Sequence, residues 1–268
     1  MTPPLDAIRD FALLFLALYA VNLASYFGIG YAVTRLNARN PERRIQKNRS
    51  GEKRKREEIR QSVKSIAVIA LSLTIGIFAQ WRGWAPTPFE ITWWNAAPLL
   101  VLAMVGFEIW FYAAHRLLHT KRFYRFHLMH HRSVAPTVWS SDSIGLVDTA
   151  ISQGFYVVAP FVFPFPAAIL VLNRLIDHTN GILGHAGYEY FASSTARHPW
   201  PMLSSTYHDL HHSEFRWNFG NYVSVFDRLF GTIHPGYDSR VREIEATQPP
   251  LALRAARDPA DRSESVRP

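Results

Sequence analysis

The 268-residue chain predicts an all-α integral membrane protein, with four to five transmembrane or membrane-embedded helices under a histidine-rich helical cap on the cytoplasmic side. Three observations carry that reading. The apolar residues are gathered into long blocks, although the chain as a whole has a mean hydropathy of −0.05. A strongly basic run separates the first two blocks, and ten of the twelve histidines fall into four compact groups at helical spacing.

Phe11 to Val33 is uncharged and long enough to cross a bilayer, with Asn22 and Ser25 as its clearly polar interruptions. It lacks the basic n-region and small-residue cleavage site of a signal peptide, so it is expected to act as a span. Ser65 to Trp81 is shorter and also uncharged, and Ala96 to Ala114 carries one acid, Glu108. These make the second and third spans. Ile144 to Phe163 and Ala167 to Asn180 flank Pro164 and Pro166, which predicts a hairpin of two helices entering the membrane and returning. Residues 1–245 read as a single membrane-embedded domain, and the Arg, Asp, Pro and Ser-rich tail from Ala246 reads as poorly ordered.

Arg35 to Lys64 holds twelve Lys or Arg against four Glu, a surplus equal to the chain's whole net charge of +8. Aromatic residues are not interleaved there and the run lies between two membrane segments, which excludes nucleic acid as its partner. The positive-inside rule places this loop in the cytoplasm, against anionic headgroups. Counting spans from that anchor brings every histidine group to the cytoplasmic face. A metal transporter is excluded on the same ground, because its ligands would be spread along a path through the bilayer. No cysteine is present, so neither a disulfide framework nor a thiolate ligand is available. The chain contains no GxGxxG, phosphate loop or GxSxG.

His115 and His119 are one helical turn apart. His127, His130 and His131 form an HxxHH pattern that His208, His211 and His212 repeat, and His178 and His185 lie two turns apart. A lone HxxxH is commonly a packing or surface pair, but nothing in packing asks for two HxxHH repeats. The number of imidazoles exceeds what one four- to six-coordinate ion accepts, so the set reads as a dinuclear site for iron, zinc, copper or nickel. His198 and His234 read as loop residues. Glu108, seven residues before His115, lies on nearly the same helical face at membrane depth. It is expected to hydrogen-bond a ligand imidazole rather than bind metal itself. Asp177 and Asn180 beside His178 are candidates for the same role, or for a helix-end cap. Arg116 and Asp209 point away from the ligand faces and are expected to be structural or to meet headgroups, and Asp227 with Arg228 to form a structural ion pair or turn.

In the order HRLLH, HLMHH and HDLHH, with the phrases FYAAHRLLH, FYRFHLMHH and NFGNYVSVFDRLFGT, the segment from Glu108 to Gly231 resembles the fatty acid hydroxylase and sterol desaturase superfamily of membrane di-iron enzymes. The resemblance implies two irons held by His115, His119, His127, His130, His131, His208, His211 and His212. His178 and His185 occupy the interval where the family has further histidines, and either is a ligand or a neighbour of one. The implied function is an O2-dependent di-iron lipid hydroxylase that inserts oxygen into an unactivated C–H bond of a membrane lipid. A desaturase or sterol-modifying oxidase with the same centre is the first alternative. The second is a non-redox, zinc-dependent membrane hydrolase, since zinc can substitute for iron at such ligands. As no flavin, haem or iron–sulfur motif is visible, a ferredoxin or cytochrome b5-like protein is the implied electron donor.

Overall fold

The structure is a computed structural model and describes residues 4–248. The tail expected to be poorly ordered lies, from residue 249, outside the described residues. Ten α-helices follow one another among them: α1 (Pro4–Arg39), α2 (Lys55–Trp81), α3 (Ala96–Leu118), α4 (Tyr124–His131), α5 (Leu146–Ser152), α6 (Phe155–Val162), α7 (Ala167–Gly184), α8 (Ser205–Glu214), α9 (Val225–Leu229) and α10 (Tyr237–Thr247).

Three helices, Leu5–Arg39, Glu52–Trp81 and Ala96–Leu118, are long and apolar enough to cross a membrane. They contain the three predicted spans. The first two outrun their apolar runs because Lys, Arg and Glu, good helix formers, continue the coil into the basic segment. α2 is the central helix, and its apolar side chains are largely buried. α1 packs along it, α3 packs against α5, α6 and α7, and both turn apolar faces outward, among them Leu13, Leu16, Val21, Val105 and Ile109, as helices facing lipid do. One core joins α1, α2, α3, α6 and α7 through Leu18, Leu73, Ile77, Phe107, Tyr156 and Leu170. Gly76 permits the close approach of α2 to α6. A Cβ there would fall 2.1 Å from the carbonyl oxygen of Tyr156.

The turn predicted at Pro164 and Pro166 forms between helices, but the first leg is two helices instead of one. The chain breaks between Ser152 and Phe155, where Gly154 sits beneath Trp110. Trp110 Nε1–H donates to the carbonyl oxygen of Ile151 at 2.9 Å, satisfying an acceptor at the break. The second leg, α7, buries Asn173, Arg174, Asp177 and His178 among the other helices, and it does not reach the length and apolarity of the three long helices.

The basic segment is partly folded onto the rest of the chain. Ile45 N–H donates to Gly187 O and Glu189 N–H to Arg43 O, and the Arg49 guanidinium donates to the Asp209 carboxylate and the Val134 carbonyl. Gln46 Nε2 donates to Asp209 Oδ1 at 2.8 Å. Asp209 thus has a structural role: it ties the segment between α1 and α2 to the helix bearing the last three grouped histidines.

Candidate metal centre

Nine of the ten grouped histidines meet in two adjacent groups. The facing ring nitrogens of His115, His119, His127, His131 and His211 lie within 4.8 Å of one another, and so do those of His130, His185, His208 and His212. The HxxHH repeat explains the division. Neighbouring residues on a helix diverge by about 100°, so each HH pair is split between the groups. His131 and His211 enter the first, while His130 and His212 enter the second. α4 and α8 therefore each bridge both groups. His115 comes from the end of α3, with His119 as the residue that closes that helix, and His185 closes α7 in the same way.

The second group can be tested against a metal. Its Nε2 atoms are 3.0 Å apart for His208 and His185, 3.2 Å for His212 and His185, 3.1 Å for His212 and His208 and 3.3 Å for His185 and His130. Each neutral imidazole nitrogen is either a donor or an acceptor. In the triangle formed by His185, His208 and His212, at least one pair must therefore be alike and repel. A central cation removes the conflict. A tetrahedron with metal–nitrogen bonds of about 2.0 Å has edges of about 3.3 Å, which matches these separations. In the first group His131 Nε2 lies 3.0 Å from His119 Nε2, and the Nε2 atoms of His115, His127 and His211 are buried with no hydrogen-bond partner.

Outer nitrogens fix the tautomer. Nδ1–H of His115 donates to Phe219 O at 2.9 Å, of His127 to Asp148 Oδ2 at 2.6 Å, of His185 to Gly181 O at 2.7 Å and of His211 to Trp217 O at 2.6 Å. Each leaves an Nε2 lone pair facing the group. Burial, followed by neighbouring imidazoles, holds His130, His131, His208, His211 and His212 well below the ordinary histidine range. Burial also lowers His119 to about 3 and His185 to about 4. All seven stay in the neutral form that binds metal.

The loop after α8 supplies two of those carbonyls. Phe215 and Asn218 adopt φ of 62° and 64°, a left-handed conformation unusual for residues other than glycine, and they bracket the turn that aims Trp217 O at His211. Phe219 and Gly220 donate their N–H groups to Asp227 at 2.9 and 2.8 Å. Gly220 has no room for a side chain, because a Cβ would lie 2.5 Å from Val223 O. Asp227 also accepts from Tyr207 Oη and from Thr232 Oγ1. Its role is structural, as expected, but Arg228 pairs with Asp238 instead of Asp227.

Glu108 differs from the sequence expectation. It accepts the backbone N–H groups of Asn221 at 3.2 Å and Tyr222 at 2.7 Å, not an imidazole. Asp177 accepts from Asn221 Nδ2 at 3.0 Å and Asn180 Nδ2 donates to Asn221 O at 2.7 Å. The three candidates therefore converge on Asn221, in the loop that carries Phe219. The buried N–H groups of Asn221 and Tyr222 need an acceptor, and the packing brings Glu108 to them. His178 lies outside both groups. Its Nε2 is 2.8 Å from Asp142 Oδ2 and its ring stacks on Tyr26, while Arg174 binds Asp142, Asp177 and Asn22. Asn22, a polar interruption of the first span, is thus a partner of a buried arginine. Asp148, the partner of His127, carries no spacing signal in the sequence.

A cavity of about 510 Å³ touches His115 and His127 of the first group and His130, His185 and His208 of the second. Phe111, Ile144, Leu175, Leu183 and Leu203 line it with apolar surface, and Phe191 and Met202, about half exposed, also border it.

The family model for fatty acid hydroxylase matches residues 100–232, half of the chain. A Delta(7)-sterol 5(6)-desaturase of Aspergillus fumigatus is 29% identical over 240 residues, which cover 85% of this chain and 67% of that protein. Methylsterol monooxygenase 1 of Gallus gallus is 32% identical over 132 residues, 47% of this chain and 42% of the relative. With a Delta(7)-sterol 5(6)-desaturase of Gibberella zeae the identity is 31% over 123 residues, 45% and 33% of the two chains. These matches span from a third to two thirds of the relatives' own lengths. No solved structure matches the chain. The matched segment begins inside α3 and ends beyond the loop after α8, so it takes in every histidine of both groups, and on these likenesses the chain belongs to the fatty acid hydroxylase and sterol desaturase superfamily.

Proposed function

We propose that this protein is an integral membrane, O2-dependent di-iron hydroxylase that inserts oxygen into an unactivated C–H bond of a membrane lipid. The observation that carries the reading is the pair of imidazole groups bordering one largely apolar cavity. His115, His119, His127, His131 and His211 would hold one iron, and His130, His185, His208 and His212 the other. When bound, the two irons supply the dioxygen-binding and redox chemistry that attack on an unactivated C–H bond requires. The protein's residues do the rest. Phe219 O, Asp148, Gly181 O and Trp217 O hold four imidazoles in the binding tautomer. Phe111, Ile144, Leu175, Leu183 and Leu203 exclude water and hold an acyl or isoprenoid chain beside the histidines.

The relatives named as sterol desaturase and methylsterol monooxygenase support an oxidoreductase acting on a lipid, and they keep a desaturase or sterol-modifying oxidase as the alternative outcome at the same centre. A group of four imidazoles is also one that zinc accepts, which keeps a non-redox zinc hydrolase as the remaining alternative. Three apolar helices support the membrane location. The contact of the basic segment with Asp209 supports a histidine cap on the cytoplasmic side, because the charges that set orientation and the grouped histidines then share one face. Electrons come from a separate carrier of the ferredoxin or cytochrome b5 kind.

Mass spectrometry of total lipids from source cells lacking the gene, before and after complementation, tests the reading. Gain of one oxygen in a lipid supports hydroxylation and names the substrate. Loss of two hydrogens makes the protein a desaturase, and activity that persists without dioxygen or reductant transfers the site to the zinc hydrolase.

A further inference from the structure

α4 separates solvent from both histidine groups by the thickness of one helix, about 10 Å. Its inner face carries His127, His130 and His131, which enter both groups. Its outer face presents Arg125, Leu128 and Arg132, all exposed, with Leu128 46% exposed at the centre. Exposed Lys121 and Arg122 precede the helix, and exposed Arg116 adjoins His115 and lies over Phe219, whose ring contacts His119. Among the described residues no carboxylate lies within ion-pair distance of Arg116, Lys121, Arg122 or Arg125. Arg132 has one, the exposed Glu57 at 3.9 Å. Glu57 also pairs with Arg54 at 3.5 Å, so this contact closes the patch on the side of α2. His119, partly exposed, is the least covered member of the first group.

Resting on the di-iron reading, we propose that the outer face of α4 and its basic rim form the docking surface for an acidic one-electron carrier protein. Charge complementarity selects the partner: a cationic rim around a small apolar centre steers and seats an anionic protein. One exposed leucine is too small an apolar face for α4 to lie in a bilayer, which favours a protein over lipid headgroups. Each docking event moves one electron, the carrier being oxidised and the centre reduced by one. Two events supply the two electrons of hydroxylation, in which R–H, O2, two electrons and two protons from solvent give R–OH and H2O.

The test uses the full chain in nanodiscs of neutral lipid, with a plant-type [2Fe–2S] ferredoxin as the acidic probe. Binding of oxidised ferredoxin is measured by calorimetry, and the reduction rate by stopped flow with reduced ferredoxin or reduced methyl viologen. In the double variant Arg122→Glu and Arg125→Glu, ferredoxin affinity and its reduction rate are expected to fall at least tenfold, while the viologen rate stays unchanged. The wild-type ferredoxin rate is expected to fall steeply with ionic strength. Unchanged ferredoxin affinity in the variant overturns the proposal. So does a loss confined to binding of vesicles containing anionic lipid, which assigns the patch to headgroups. Charge-dependent ferredoxin binding with no reduction by either donor upholds the surface and defeats the di-iron reading instead.

Discussion

Asp148 Oδ2 accepts the Nδ1–H of His127 at 2.6 Å, joining the broken leg of the hairpin to the helix that serves both histidine groups. Asp148 is buried, and its other oxygen accepts from Ser152 Oγ at 2.9 Å. The carboxylate therefore holds the ring with Nε2 toward the first group and makes that nitrogen a better ligand. Asp148→Asn is expected to lower metal affinity about 10- to 100-fold, read as metal content per protein across a chelator series. Unchanged occupancy would show that His127 is oriented by packing alone.

Loss of a grouped histidine removes a nitrogen that has no other use. His131→Ala and His211→Ala are each expected to abolish product formation. His234→Ala is expected to be tolerated, since His234 pairs with the exposed Glu214 and stands outside both groups. Lipid product assays on the three variants check this, and full activity after His131→Ala would sink the two-metal reading.

Glu108 stabilises a loop, so its loss should first appear as stability. Glu108→Ala strands the N–H groups of Asn221 and Tyr222, at about 1–3 kcal/mol for a buried donor left unpaired. A lower unfolding temperature is expected, with metal content falling only as far as Phe219 O loses its place beside His115. Unaltered melting with lost metal would instead place Glu108 in direct contact with the centre.

Gly76→Ala should separate α2 from α6, because the new Cβ meets the Tyr156 carbonyl, which cannot move without its helix. Overpacking of this kind costs about 1–3 kcal/mol. Thermal melts in detergent provide the check; an unchanged melt would mean that the two helices slide freely.

Metal-free protein is expected to lose stability in acid. Unfolded imidazoles take up protons near 6.5, whereas folded His185 resists until about 4 and His119 until about 3. The unfolded state binds more protons in that window, so stability falls as pH drops from 6.5 toward 4 and is fully present above 6.5. Melting of chelator-treated protein from pH 7.5 to 4 measures it, and a flat profile would mean that the rings protonate freely in the folded state.

Much of this design was legible in the chain itself. Local periodicity placed His127, His130 and His131 on one helix and His208, His211 and His212 on another, and hydropathy located the three long helices, because both signals depend only on neighbours along the backbone. Likewise, the prolines at 164 and 166 marked the hairpin turn. What the spacing could not convey was which imidazole joins which group. His178 and His185 look equivalent at two helical turns, yet His185 closes α7 beside α8 while His178 is held by Asp142.

The residue types that can bind metal, their helical register and the apolar segments are all set along the chain, since they follow from side-chain chemistry and from 3.6 residues per turn. The partners of the buried polar groups were set by packing. Asp148, Asp142 and Asn221 lie many residues from the groups they hold, and a buried donor or acceptor takes whichever partner the packing brings within hydrogen-bond reach, so distance in space and not along the chain chose them.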